Sequence, residues 1–389
     1  MWTPFREEHD QFRATVRKFA EKELAPFVDE WEETGQFPNE VFKRAGELGI
    51  LGAHFPEEHG GSGGDYWFSV AKGEELPRCN SAGVTMGLLV QSDMATPVIS
   101  DIGTSEQIEE FLKPALRGDK IASLGVSEPA AGSDVAGIRT VAKKDGDDFL
   151  ISGQKTFITN GARASFITML TKTNPEAGAH GCTFFLVPTD LKGFSVSKKL
   201  KKVGNKSSDT AELFLDNVRI PKRYMLGEEG MGFMYLMQNF QTERLIASVS
   251  ACNGAQLILN ESIQYGRDRS AFGKPIIKRE VWQHKFVDLQ TKLEAAKSLC
   301  YRVVDQYNTE RYVKKEPLSM ETVKLISMAK VFVGDVSAEV MDQCLQFHGG
   351  WGYIEDYRVA RAWRDARLFR LGGGTTETMK YYIAKLMGL

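Results

Sequence analysis

The sequence predicts an α+β protein in which a small β domain separates two helical regions. Up to about residue 120 the apolar residues recur at helical spacing, as in Phe12, Val16 and Phe19. Short apolar runs typical of strands follow, and long helical patterns then return. This order, without alternating βαβ units, argues against a Rossmann domain. We expect an N-terminal helical domain at 1–120, a middle β domain at 121–226 and a C-terminal four-helix bundle at 227–389.

The β domain is predicted from four apolar runs separated by Gly, Asn and Asp, at 149–151, 166–170, 182–187 and 213–215. The bundle is predicted from helical patterns at 233–267, 281–309, 319–347 and 375–387. Ser319 stands where an N-cap is expected. Long helices joined by short connections favour an antiparallel bundle.

Composition excludes several classes of partner. The 389 residues carry 49 Lys and Arg against 51 Asp and Glu, a formal charge of -2, so no global charge attracts nucleic acid or an anionic membrane. The N-terminus lacks the pattern of a secretion signal, and no stretch approaches the ~20 apolar residues of a membrane span. We expect a soluble protein, cytoplasmic if bacterial and in the mitochondrial matrix if eukaryotic.

The five cysteines are far apart and form no CxxC pair, which predicts core thiols in a reducing compartment. The histidines show no metal-ligand spacing, so no metal site is expected.

Two segments rich in Gly and hydroxyl residues, at 124–134 and 154–161, are candidates for binding a flat ligand. Their glycines allow close backbone approach, Ser127 and Thr159 can bond heteroatoms, and Phe157 can cover a ring face. The alternative is a pair of tight turns with capping hydroxyls. The chain has no GxGxxG after a strand and no GxxxxGK[ST], so a nucleotide would be held in another way.

Taken in order, the motifs resemble the acyl-CoA dehydrogenase family over essentially the whole chain, with the isovaleryl-CoA, long-chain and citronellyl-CoA types nearest. The matching segments are 12–19, PEEHGG at 56–61, LGVSEPAAGSD at 124–134, QKTFITNG at 154–161, SSDT at 207–210, DNVRIP at 216–221, RSAFG at 269–273 and QFHGGWGY at 346–353.

This resemblance implies an FAD between the β domain and the C-terminal bundle, in a homotetramer built as a dimer of dimers. The residues expected around the isoalloxazine are Leu124, Val126, Ser127, Phe157, Ile158 and Thr159. Those expected at the other FAD contacts are Arg269, Glu280, Gln346, Gly349 and Gly350, which reach the FAD of a neighbouring subunit, together with Thr375 and Glu377 after the active-site turn. Phe157 stands where many members have Trp, and Glu280 where many have Gln. A carboxylate beside a pyrophosphate requires a nearby cation such as Arg269.

The catalytic base is the most informative position. Many family members carry a glutamate in a turn where this chain has Gly373, which cannot abstract a proton. The isovaleryl-CoA and long-chain types place it instead on the first long C-terminal helix before an arginine, and Glu243 followed by Arg244 is similar. Glu243 is therefore the expected base, the alternative being a solvated helix carboxylate paired with a cation.

The resemblance implies proton removal from Cα, hydride transfer from Cβ to flavin N5 and delivery of electrons to electron transfer flavoprotein. The residues expected at the acyl-CoA substrate are Ser133, Arg244, Gly373 and Gly374. Because Gly372 and Gly373 lack side chains, branched or medium to long acyl chains are expected, and Met86 and Met94 are candidates for the acyl cavity.

Two rival hypotheses remain open from the sequence. One is a flavin-dependent monooxygenase or oxidase on the same fold, against which Glu243 counts. The other is a non-enzymatic acyl-CoA-binding or assembly protein.

Overall fold

The N-terminal part of the chain is helical, as predicted. The computed structural model describes residues 4–389, so the first three residues of the N-terminal segment assessed for a targeting signal lie outside the described residues. Val16 and Phe19 are buried, and the first helix passes into a π-helical turn at Phe19–Leu24. The helices are α1 (Glu7–Lys18), α2 (Val28–Thr34), α3 (Glu40–Glu47), α4 (Tyr66–Glu75), α5 (Ala82–Leu89), α6 (Pro97–Ile102), α7 (Ser105–Gln107) and α8 (Lys113–Leu116).

The middle part forms an eight-stranded sheet. Its strands are β1 (Ala122–Gly125), β2 (Val141–Asp145), β3 (Asp148–Thr159), β4 (Phe166–Lys172), β5 (Cys182–Pro188), β6 (Phe194–Lys199), β7 (Thr210–Pro221) and β8 (Met225–Leu226). Their order is β6-β7-β3-β2-β4-β5-β8, and β1 pairs in parallel with β4. The four predicted runs lie in β3, β4, β5 and β7. The apolar pattern missed β2 and β6 because most of their residues are exposed and polar.

The C-terminal part is the predicted bundle. Its helices are α9 (Gly232–Asp268), α10 (Glu280–Asn308), α11 (Met320–His348), α12 (Arg358–Ala366) and α13 (Thr376–Leu386), of which the short α12 was not predicted. A small hairpin of β9 (Ser270–Ala271) and β10 (Lys274–Pro275) joins α9 to α10. Ser319 is the predicted N-cap, since its hydroxyl accepts a hydrogen bond from the Thr322 N–H at 3.2 Å.

Two buried apolar clusters tie the three parts together. One joins the N-terminal helices to the sheet, and the other joins the bundle to α4 through Tyr66, Trp67 and Val70. The last N-terminal helix ends at Leu116 and α9 begins at Gly232, with the sheet between them. We therefore propose the domain boundaries at about 120 and 226.

All five cysteines are buried free thiols, as predicted. Within residues 4–389, no cluster of His, Cys, Asp and Glu side chains is arranged to hold a metal ion. The helices of the same region include none with the length and apolarity needed to cross a membrane.

Candidate active site

The two segments rich in hydroxyl residues meet at the ends of β1 and β3. Val126 and Ser127 directly follow β1, whereas Phe157 lies near the end of β3, where a bulge shifts the strand register between Lys155 and Ile158. The bulge puts Phe157 at a φ of 60° and leaves its ring 68% exposed. Residues 154–159 are therefore a bulged strand end, and a tight turn follows, in which the Gly161 N–H donates to the Ile158 carbonyl at 3.1 Å.

A buried lysine joins the two segments. Lys155 donates hydrogen bonds to the Val126 carbonyl at 3.0 Å and to the Glu128 carboxylate at 2.8 Å. The Thr156 N–H adds a bond to the Ser127 carbonyl at 2.9 Å. Burial lowers the pKa of the Lys155 ammonium to about 8.

Sequence reasoning missed Lys155, although a signal was present. Lys155 shares the odd-numbered positions of β3 with Phe149 and Ile151, and alternate residues of a strand face the same side. The strand pattern therefore places this lysine on the buried face.

The strand ends suit a flat heteroaromatic cofactor. An exposed phenyl ring stands beside the half-buried hydroxyls of Ser127 and Thr159. Neither hydroxyl has a hydrogen-bond partner among residues 4–389, so both can bond a ligand. Leu124 is half-buried, and Val126 and Ile158 are buried beneath them. The chemistry of this donor set fits an isoalloxazine.

A second group of predicted residues meets between α9 and the turn that precedes α13. Glu243 lies on α9, half-buried, and Gly373 lies in the turn with a φ of 65°. A Cβ placed on Gly373 would lie 3.4 Å from Glu243 Oε1. A side chain on the turn would thus begin beside the Glu243 carboxylate.

The Glu243 carboxylate has no hydrogen bond or ion pair within the described part of the chain. Burial raises its pKa, and the nearby cations of Arg244 and Lys330 partly offset the rise. This environment differs from that of a solvated carboxylate held by a salt bridge. It is suited to a proton acceptor whose pKa must approach neutrality.

Arg244 is directed to the same turn. Its side chain is buried, and its Nε donates a hydrogen bond to the Gly373 carbonyl at 3.0 Å. Gly374 follows with a φ of 100°, and the Thr375 hydroxyl caps α13 by accepting from the Thr378 N–H at 3.2 Å. Glu377 is exposed in the first turn of α13.

Ser133, another predicted substrate residue, is exposed on the loop after β1. Within the described residues no hydrogen bond joins it to Glu243 or Gly373.

The remaining predicted FAD residues lie at one end of the bundle. Arg269 follows α9, while Gln346 and the two glycines at 349 and 350 end α11. Stacking of Tyr265 on His348, with ring centroids 4.2 Å apart, holds the two helix ends together. The predicted residues at this end are all exposed: Arg269, Glu280, Gln346, Gly349 and Gly350. Within the described residues Glu280 lies 3.8 Å from His284 and forms no ion pair with Arg269.

A cavity of about 130 Å³ begins one helical turn beyond Glu243. It is partly open to solvent and exceeds the roughly 10–15 Å³ that a single water needs. Its walls come from α5, α9, α11 and α12, with Ala247, Ala251 and Gly254 along the α9 side. Met86 lines it, whereas Met94 is not among its lining residues.

Sequence profiles of a single enzyme family match all three parts of the chain. The acyl-CoA dehydrogenase N-terminal domain matches residues 6–119, the middle domain residues 123–218 and the C-terminal domain residues 230–388. The chain belongs to the acyl-CoA dehydrogenase family. The resemblance and the fold predicted from the sequence are confirmed.

Named relatives agree with this assignment. The chain is 40% identical over 383 residues to the mitochondrial long-chain specific acyl-CoA dehydrogenase of Rattus norvegicus, covering 98% of this chain and 86% of that protein. It is 34% identical to a subunit of the caffeyl-CoA reductase–Etf complex of Acetobacterium woodii, covering 98% and 99%. The solved acyl-CoA dehydrogenase of Geobacillus kaustophilus superposes with a TM-score of 0.94 at 36% identity, covering 100% of both chains.

Acyl-CoA dehydrogenases are FAD-containing oxidoreductases of fatty acid oxidation, and this chain is an enzyme of that kind. Its relatives include both mitochondrial and bacterial proteins. The comparisons do not favour the monooxygenase or oxidase hypothesis.

Proposed function

We propose that this acyl-CoA dehydrogenase converts branched or medium to long acyl-CoA thioesters to trans-2-enoyl-CoA, with Glu243 as the base that removes the Cα proton. The observation that carries the proposal is the unpaired, half-buried Glu243 carboxylate beside Gly373. The turn lacks a carboxylate of its own, and α9 supplies one at the same place.

The thioester must be activated before a carboxylate can remove its Cα proton. Hydrogen-bond donors at the carbonyl oxygen stabilise the enolate character that develops as the proton leaves. We assign one donor to the Gly373 N–H, whose turn is held by Arg244. When bound, FAD supplies the hydride acceptor and a ribityl hydroxyl as a second donor. We assign the isoalloxazine to the strand ends around Ser127, Phe157 and Thr159.

The cavity along α9 supports a long acyl chain. Positions 247, 251, 254 and 258 recur every three to four residues, so they share the helix face that carries Glu243. From Glu243 to Ile258 the helix rises roughly 22 Å, at about 1.5 Å per residue. Small side chains at Ala247, Ala251 and Gly254 keep this path open. Space beside the turn glycines supports a methyl branch near Cα and Cβ.

Anaerobic mixing of the holoenzyme with a panel of acyl-CoA thioesters tests the proposal, with flavin absorbance as the measurement. We expect the fastest reduction with branched or long thioesters. Failure of every thioester to reduce the flavin would contradict dehydrogenation itself. A strong preference for butyryl-CoA would contradict only the chain length.

We expect Gly254→Leu to shorten the accepted acyl chain. A Cβ at this position would meet only the Pro77 Cβ at 3.9 Å, so a leucine can be accommodated and its methyl groups enter the cavity. Each misplaced methyl or methylene changes discrimination by roughly 10–200-fold, so kcat/KM for the longest thioester should fall at least about 10-fold. Short thioesters should be unaffected.

Gly254→Ala is the matched control, because its single methyl group fits the space and the parent preference should persist. Equal kcat/KM values of Gly254→Leu and the parent for long thioesters would show that the acyl chain lies elsewhere.

Electron transfer flavoprotein is the proposed electron acceptor, supported by the Etf-complex subunit among the relatives. The proposed compartment is the cytoplasm of a bacterium or the mitochondrial matrix of a eukaryote, as for the relatives.

We further propose a homotetramer, a dimer of dimers, in which each FAD contacts Arg269 and residues 346–350 of a neighbour. Large apolar side chains at this end support a covering subunit, because Phe272 is 96% and Tyr353 88% exposed on the isolated chain. Light scattering should give four chains with one FAD each. A monomer that retains its FAD would refute the shared site.

A further inference from the structure

Lys330 is a buried cation at the active-site turn that the sequence did not single out. It lies on α11 with 2% of its surface exposed, and its Nζ donates a hydrogen bond to the Gly374 carbonyl. Arg244 donates to the preceding carbonyl, that of Gly373, at 3.0 Å. Two cations from two helices thus hold consecutive carbonyls of one turn.

The turn needs such external support. Three successive glycines, at 372–374, have more conformational freedom than any other residues, and two of them adopt positive φ values of 65° and 100°. The three glycines have no side chains that could hold the turn in one conformation. The hydrogen bonds to the Gly373 and Gly374 carbonyls restrict the peptide planes of these two carbonyls, which directly follow the Gly373 N–H.

The charges around Lys330 also bear on Glu243. Burial and the repulsion of Arg244 lower the pKa of Lys330 to about 8, against the attraction of Glu243. Glu377 on α13 and Arg370 before the turn have smaller effects on this pKa. Lys330 and Arg244 are the cations that favour the carboxylate form of Glu243.

We propose that Lys330 is a positioning residue for the dehydrogenation, holding the Gly373 N–H in one orientation beside Glu243 and placing a positive charge near that carboxylate. This inference rests on the proposed function of Glu243 as the base.

Lys330→Met in the holoenzyme tests it, because methionine keeps most of the length but neither the charge nor the donor. Losing a hydrogen bond to a charged group should lower the flavin reduction rate roughly 10- to 100-fold. Without the cation the pKa of Glu243 rises, so the acidic limb of the pH–rate profile should move to higher pH. Hydrogen exchange by mass spectrometry should be faster in peptides covering residues 371–376.

Two further variants separate positioning from general stability. Lys324→Met removes a cation of the same helix that pairs with Glu321, and it should change neither the pH limb nor the exchange. Lys330→Arg keeps the charge in another geometry, so its pH limb should stay near that of the parent while its rate falls. If Lys330→Met does not fold, the flavin reduction rate of Lys330→Arg tests the inference instead.

Parent-like exchange and an unmoved pH limb in Lys330→Met, or a parent-like rate in Lys330→Arg, would overturn the inference. These outcomes leave the proposed function intact. That function instead fails if the parent enzyme does not reduce its flavin with any thioester.

Discussion

Glu243→Gln should lower the rate of anaerobic flavin reduction by roughly 10²–10⁴-fold, the usual effect of losing a general base. Glutamine keeps the shape of the side chain but cannot accept the Cα proton. Because Glu243 has no partner within the described residues, its replacement breaks no hydrogen bond or ion pair there. FAD content and acyl-CoA affinity should therefore match those of the parent, and stopped-flow absorbance should show a defect in the chemical step alone.

The pH dependence follows from the environment of this carboxyl group. Burial raises its pKa, and the base acts only when ionised. The rate of flavin reduction by the parent should therefore be low at pH values below this raised pKa and should increase as the pH rises through it. Glu243→Gln should lack this limb. A variant with the parent rate and limb would show that Glu243 is a structural carboxylate.

Gly373→Glu in the Glu243→Gln background should restore part of the reduction. The new Cβ would start 3.4 Å from the position of Glu243 Oε1, so a carboxylate can return to the same region from the turn. Recovery should be incomplete, because a non-glycine residue is strained at a φ of 65°. It should favour straight chains, since the new side chain fills the space beside Cα and Cβ. Gly373→Ala in the same background is the control and should restore nothing.

Lys155→Met should destabilise the protein by about 3–5 kcal/mol, the usual result of removing one partner of a buried ion pair. Lys155 is fully buried and bonds Glu128 at 2.8 Å. Without the cation, Glu128 remains buried with only the Arg139 and Thr140 N–H donors. Urea unfolding monitored by circular dichroism measures the loss. FAD affinity should fall too, because Lys155 joins the two strand ends at the proposed isoalloxazine site.

The stability difference between Lys155→Met and the parent should depend on pH, because Lys155 acts on the pKa of Glu128. Burial raises the pKa of the Glu128 carboxyl, and attraction to Lys155 with three hydrogen bonds more than offsets this, so its pKa is lowered in the parent. In the parent, the ionised Glu128 therefore stabilises the folded state at pH values above the pKa that this carboxyl has in the unfolded chain. This stabilisation is lost as the pH falls through the lowered pKa of the folded state. In Lys155→Met the Glu128 pKa should be raised instead of lowered. The loss in the free energy of unfolding relative to the parent should therefore grow as the pH rises.

Lys144→Met is the matched control, since Lys144 is exposed on the neighbouring strand β2 and should change stability by no more than about 0.5 kcal/mol. Adding Glu128→Gln to Lys155→Met should recover part of the loss by removing the unpaired charge. Equal stability of Lys155→Met and the parent would show that the buried pair contributes no net free energy.

Sequence alone determined the three-part order and the long helices of the bundle, and the resemblance to the family supplied the base candidate. The order and the helices are local features, because the period of 3.6 and the period of 2 are properties of a continuous segment. Ser319 was recognised as an N-cap for the same reason, since a cap acts within one helical turn. The order of the motifs identified the family and, through it, the FAD cofactor, and the profile matches confirm both.

The tertiary structure alone decided what surrounds these residues. Arg244 and Gly373 are 129 positions apart, and no local pattern indicates that their side chain and carbonyl meet. Lys330 resembles any helical lysine until α11 packs against the turn. The cavity along α9 likewise exists only where small residues of α9 face α5 and α11. Such contacts depend on how helices cross, which is set by packing over the whole molecule and not by the periodicity of one segment.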